Sequence, residues 1–172
     1  MRISKRGIEF IKDCEGFSPF MYHDAAGLPT IGYGTLIDSP EEMVYMTKPI
    51  TREKAEEFLM RDLAWAEDSV DRLVTSGINQ SQFDALVSFC YNVGSTKFNG
   101  STLLRRINND PDDKQLEFQF MRWIYAGGKR SEGLEKRRKK EVELYFSEHK
   151  EPDTGNAEAV DQAYRRSRET GV

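Results

Sequence analysis

Apolar residues recur at helical spacing along most of the chain. Ile8 and Ile11 share a helical face with Glu15, at i, i+3 and i+7, so the first stripe finishes on a carboxylate. Ser4 as cap and Gly16 as stop predict a helix ending near Glu15. The period then shortens. "FMYHD" and "TIGYG" are strand-like runs on either side of "AAGLP", which reads as a turn, and together they predict a small antiparallel hairpin or sheet. "SPEEMVYMTKP" reads as a connecting loop with a helical turn.

From Thr51 onward the helical period dominates. "ITREKAEEFLMRDLAWAEDSVDRLV" sets Ala55, Phe58, Leu59, Leu63, Ala66, Val70, Leu73 and Val74 on one face, with Thr51 as N-cap. "NQSQFDALVSFCYNVG" opens on Asn79 with Gln82 three residues later, a capping-box pattern. Its apolar residues lie on several sides, which predicts a central buried helix ended by Gly94. A short helix capped by Ser101 should stop before Pro111. "DDKQLEFQFMRWIYAGG" and "GLEKRRKKEVELYF" predict two more. From Ser147 the chain is polar and nearly free of large apolar residues, so residues 147–172 are expected to form a tail, with a marginal helix near Ala157 to Arg166. The expected architecture is α+β and mostly α. A small N-terminal lobe carries the antiparallel strands, and a larger helical lobe completes a domain over residues 1–146.

Composition narrows the possibilities. A chain of 172 residues, 38% hydrophobic, can bury one ordinary core. A formal net charge of −4 is not that of a general polyanion binder. Lys129 to Lys140 nevertheless holds seven Lys or Arg against two Glu. That run is either a solvated helix face or a contact for an acidic polymer such as a cell-wall or nucleic-acid chain. Cys14 and Cys90 stand apart and form no C-x-x-C pair, so they read as buried thiols rather than a zinc or redox motif. Met1 to Gly16 mixes charges throughout, so neither a signal peptide nor a membrane span is expected.

The chemistry concentrates between Glu15 and Gly34. Burial disfavours the charged form of a carboxyl, and a general acid must keep its proton near neutral pH. Asp24 follows at the end of the first strand-like run, and Thr30 enters the second. Two carboxyls in different surroundings, one apolar and one in a polar turn, are what glycoside cleavage requires. Each residue taken singly also has a structural explanation: a helix-end carboxylate, a turn aspartate, a β-forming threonine. Gly32 and Gly34 leave room in the strand for a ligand or for another backbone. Trp65, Trp123 and Tyr125 are expected in the core.

The full string decides between these readings. "CEG" followed by "YHDAAGLPTIGYG" resembles the motif of the phage-type lysozymes, the endolysins. "ITREKAEEFLMRDL", "NQSQFDALVSFCYNVG", "RWIYAGG" and "GLEKRRKKEVELY" look like later segments of that family, so the resemblance spans roughly Met1 to Phe146. It implies a cleft between the lobes and hydrolysis of the β-1,4 bond between N-acetylmuramic acid and N-acetylglucosamine in peptidoglycan. It places the acid on Glu15, the second carboxylate on Asp24 and the water-holding hydroxyl on Thr30. Inversion at the anomeric carbon follows, with the wider carboxyl separation. Leu36 matches a family position near the sugar, and Phe98 matches another. No metal or organic cofactor is implied. Peptidoglycan is the implied partner, without nucleic acid or membrane insertion, and the protein is expected as a monomer. Made in the host cytoplasm, it would need a separate holin-type pore to reach the wall. Many relatives carry His after "TIGxG", where this chain has Thr35, so a buried His–Asp pair is expected to be absent. A lytic transglycosylase and a non-catalytic wall-binding module on the same fold are the alternatives.

Overall fold

Helices form at nearly every place the apolar spacing predicts them. The computed structural model describes residues 1–24 and 26–147. The Ser4 hydroxyl accepts the Gly7 N–H at 3.2 Å and caps α1 (Lys5–Glu15), and Gly16, at φ +73°, ends that helix. Strands β1 (Ser18–His23), β2 (Pro29–Gly32) and β3 (Thr35–Leu36) form one antiparallel sheet in that order. The expected hairpin or sheet is a three-stranded antiparallel sheet. Next come α2 (Pro40–Met43) and a 3-10 turn, Val44–Met46. They are followed by α3 (Arg52–Leu73) and α4 (Gln80–Val93). Thr51 caps α3 by accepting the Lys54 N–H, and Asn79 and Gln82 complete the capping box of α4. The remaining helices are α5 (Ser95–Asn99), α6 (Thr102–Asn109), α7 (Leu116–Met121) and α8 (Glu132–Tyr145).

The chain divides into two compact units, and the division falls within α1 and α3. One unit is Glu9–Ala64. The other is Met1–Ile8 with the described residues from Trp65 onward.

In the Glu9–Ala64 unit the sheet has two different faces. Ile31 pairs with Thr35 across β2 and β3, and both are buried. Their side chains point the same way, because opposite residues share a face. Gly32 brings β2 close to α3: a Cβ built on it would lie 2.8 Å from the Ala55 Cβ, and its φ is +66°. Any larger residue there would push strand and helix apart.

In the other unit α4 is buried along most of its length and packs against α8. Phe89 is the hub of its ring packing. The rings of Phe98, Phe120 and Trp123 meet it edge-on at 6.0, 5.4 and 5.5 Å, and the Arg138 guanidinium lies 4.8 Å from its centroid. Glu141, fully buried on α8, pairs with both Arg137 and Arg138 and accepts the Ser88 hydroxyl at 2.8 Å.

Four expectations change. First, the cationic run is not uniformly a solvated face: Arg137 and Arg138 turn inward to Glu141, leaving Lys136, Lys139 and Lys140 exposed. Second, "DDKQLEFQFMRWIYAGG" is helical only over α7 and then forms β4 (Tyr125–Ala126) and β5 (Lys129–Arg130). Gly127 and Gly128, both at positive φ, make the two-residue turn that such a hairpin needs. Third, Tyr125 on that hairpin is 61% exposed and Trp65 is 41% exposed, stacked on Tyr91. Of the three aromatics expected in the core, only Trp123 packs on Phe89. Fourth, Cys90 is buried as expected but Cys14 is only half-buried, and no disulfide joins them. The polar stretch expected as a tail, with its helix near Ala157, lies outside the described residues beyond Ser147.

The Glu141 cluster yields a stability prediction. Glu141→Ala would leave two buried guanidiniums without their carboxylate and should cost about 3–5 kcal/mol. Chemical denaturation would measure this, and a loss below about 1 kcal/mol would show that the two arginines find other partners.

Candidate active site

Glu15, Asp24, Thr30 and Leu36 all lie within the Glu9–Ala64 unit. Glu15 is the last residue of α1. Ile8 and Ile11 on its stripe are buried, whereas Glu15 is half-buried, so the stripe ends where the helix meets solvent. A Cβ built on Gly34 would come within 3.7 Å of Glu15 Oε2, so the link between β2 and β3 passes directly beside the carboxyl. The space left by Gly32 is taken by α3, whereas Gly34 is set by its φ of +95°.

Asp24 follows β1 in a tight turn. Its Oδ1 accepts the backbone N–H groups of Ala26 and Leu28 at 2.8 and 2.9 Å, and its own N–H donates to the Leu28 carbonyl. The carboxyl therefore sits in the polar turn that the sequence suggested. Thr30 is 2% exposed, and its hydroxyl donates to the Leu28 carbonyl at 3.0 Å. One short loop thus holds both the second carboxyl and the hydroxyl.

The strand register adds a residue that sequence reasoning missed. Thr30 lies opposite Tyr22 on β1 and opposite Leu36 on β3. The three side chains share one face of the sheet, the face away from Ile31 and Thr35. Tyr22 and Leu36 are 39% and 40% exposed on either side of the buried Thr30. Partial burial raises the pKa of the Tyr22 phenol, and the negative charges of Glu15 and Asp24 raise it further. The phenol therefore feels both carboxyls. The run "FMYHD" held the clue, but assigning Tyr22 to this face requires the pairing across the turn.

Phe98 is placed differently. It belongs to the other unit, is fully buried and meets Phe89 edge-on. Its ring offers no exposed face for a sugar to stack on, because the core beneath α5 uses it. Among the described residues no group of three or more His, Cys, Asp or Glu side chains could hold a metal ion.

Comparison with known proteins places this geometry in context. The family model described as phage lysozyme matches residues 12–141. The endolysin of Salmonella phage P22 is 39% identical over 147 residues, covering 86% of this chain and 99% of the relative. The endolysin of Bacillus phage B103 is 40% identical over 149 residues, but the match spans only 55% of that longer protein. The solved structure of an endolysin from Escherichia coli O157:H7 phage FAHEc1 superposes with a TM-score of 0.78 at 35% identity, covering 88% of this chain and 98% of the other. The chain belongs to the phage lysozyme family. With that membership go the lysozyme fold and a glycosidase activity of the muramidase type.

One feature of this phage lysozyme sits directly behind the site. Thr35 donates its hydroxyl to Asp62 Oδ2 at 2.8 Å. Arg61 donates Nε and Nη2 to Asp62 Oδ1 at 3.1 and 2.9 Å and also pairs with the buried Glu42. The hydroxyl thus meets a half-buried carboxylate, where the sequence predicted a buried His–Asp pair to be absent. Burial raises the Asp62 pKa, opposed by Thr35 and Arg61. As pH falls, the folded chain therefore takes up this proton before the unfolded chain does. Asp62 weighs on stability above its folded pKa and is relieved below it.

Thr35→Val keeps the shape but removes the donor. At neutral pH this should cost about 1–3 kcal/mol, the penalty for a half-buried acceptor losing its partner. The deficit should narrow as pH falls through the Asp62 titration, because the hydroxyl stabilises the charged form. Thermal unfolding of parent and variant between neutral and acid pH would test this, and a pH-independent deficit would contradict it.

Proposed function

We propose that this chain hydrolyses the β-1,4 bond between N-acetylmuramic acid and N-acetylglucosamine, with Glu15 as general acid and Asp24 and Thr30 guiding a water. The observation that carries this reading is the placement of the three residues in one unit: Glu15 ends α1 beside Gly34, and Asp24 and Thr30 are held at the two ends of one hydrogen-bonded turn. Glu15 delivers a proton to the leaving glycosidic oxygen. Asp24, held by two backbone N–H groups, takes the proton of the attacking water, and the Thr30 hydroxyl fixes that water's orientation. Leu36 supplies an apolar wall beside the sugar. Phe98 has no exposed side-chain atom to contribute.

The substrate is peptidoglycan at the wall of the host cell, and lysis at the end of infection is the outcome. Among the described residues no helix is long and apolar enough to cross a membrane. In this proposal a separate pore-forming protein releases the enzyme, and the exposed lysines of α8 help attract it to an anionic wall.

Glu15→Gln should abolish nearly all lytic activity while leaving the fold intact, since glutamine keeps the shape but not the acid. Asp24→Asn should also be severely impaired. Asp38→Asn, outside the motif, should be close to silent. Turbidity clearing of wall suspensions by the three folded variants would check this. Parental rates in Glu15→Gln would remove Glu15 from its role.

Product chemistry separates the remaining alternatives. Mass spectrometry of digested peptidoglycan should show reducing ends. Anhydro-sugars would indicate a transglycosylase, and no released fragment a binding module. Inverting enzymes need room for a water between the carboxyls, roughly 6.5–9.5 Å against 5–5.5 Å in retaining ones. Proton NMR of freshly cut oligosaccharide should therefore show an initial α-anomer, and an initial β-anomer would refute inversion.

A further inference from the structure

The Thr30 face of the sheet holds a residue that the acid, base and water roles leave unused. Tyr22 is directly opposite Thr30, and Leu36 is directly opposite Thr30 on the other side. Large side chains therefore flank a small polar one in a single row. Cross-strand neighbours of this kind stand about 4.5–5.5 Å apart at Cβ, so Tyr22 and Leu36, two strands apart, stand roughly 9–11 Å apart across Thr30. The pairing of β1 with β2 shifts between Ser18 and Tyr22. Such an irregularity re-aims side chains, and it brings Tyr22, rather than Phe20, opposite Thr30.

We propose that Tyr22 is a sugar-contacting residue of this enzyme: its ring forms the wall of the subsite facing Leu36, and its hydroxyl hydrogen-bonds a sugar oxygen or N-acetyl carbonyl beside Glu15 and Asp24. This rests on the assignment of Glu15 and Asp24 as the catalytic carboxyls.

Three observations support it. Tyr22 is 39% exposed, so part of its ring is open to a ligand, unlike the fully buried ring of Phe98. Its face of the sheet carries Tyr22 and Leu36 partly open to solvent on either side of the buried Thr30, whereas the opposite face carries buried Ile31 and Thr35 and is tied to Asp62. Finally, burial and the two neighbouring carboxyls all raise the phenol's pKa, so it remains a donor across the working pH range. The amphipathic tyrosine suits a pyranose, whose C–H face is apolar and whose rim is polar.

The test compares Tyr22→Phe and Tyr22→Ala with the parent on purified peptidoglycan, with thermal unfolding as the check on folding. Removing one neutral hydrogen bond should raise KM about fivefold in Tyr22→Phe, with kcat within about twofold. Loss of the ring in Tyr22→Ala should raise KM more than about tenfold, with partial recovery in Tyr22→Phe. A structural role alone would lower the unfolding midpoint and leave KM in place, which overturns the proposal. Parental KM in both variants overturns it as well. Glu15→Gln is assayed in parallel. If that variant is inactive while Tyr22→Ala is parental, only the Tyr22 proposal fails. If Glu15→Gln stays active, the carboxyl assignment fails and this inference falls with it.

Discussion

The contact between the Thr35 hydroxyl and Asp62 decides which face of the sheet is free to work. Strand side chains alternate, so a strand anchored by one residue presents its neighbours on the other side. Thr35 and its partner Ile31 are anchored inward. Thr30 and Leu36 must then lie on the opposite face, and Tyr22 joins them through the register. A slip of one residue would exchange the two faces and bury Leu36 in place of Thr35. Gly32 permits this arrangement sterically, because β2 could not approach α3 so closely with a side chain at that position.

The anchor is ionic as well as hydrogen-bonded. Arg61 lies between Asp62 and Glu42, and Glu42 in turn receives the Ser39 N–H at the start of α2. One guanidinium thus ties β3, α2 and α3 together. Holding one buried and one half-buried carboxylate around a single cation is costly unless each is well donated to. That explains why a hydroxyl suffices at position 35: with Arg61 supplying the charge, the strand residue need only donate a hydrogen bond. The same physics operates in the other unit, where two guanidiniums meet one buried carboxylate at Glu141.

The proposed chemistry benefits from the rigidity of this support. Asp24 and Thr30 flank a short turn whose hydrogen bonds, among the described residues, converge on Leu28 and Asp24. A carboxyl and hydroxyl held this way lose little further freedom when substrate arrives, which is the condition for efficient general acid–base catalysis. Glu15 comes from a separate element, and Gly34, at φ +95°, lets the chain turn between β2 and β3 beside it.

Much of the molecule was legible from local pattern. Helix caps at Ser4, Thr51, Asn79 and Ser101 fall where small polar residues precede apolar stripes, because capping is a matter of neighbours three residues away. The motif carrying Glu15, Asp24 and Thr30 was legible for a different reason: it is contiguous, and it resembles a family. Other features depended on tertiary structure. No local signal marks Arg137 and Arg138 as buried, since their carboxylate partner and Ser88 are brought together only when α4 meets α8. Trp65 and Tyr125 are apolar enough for a core, yet one is left stacked at the surface and the other rides an exposed hairpin. Thr35 meets Asp62 across 27 positions, and Tyr22 gains its place beside Thr30 from strand register. Sequence alone named the residues proposed to do the chemistry. Folding decided which of them share a face, because sidedness in a sheet is set by what the opposite side must bury.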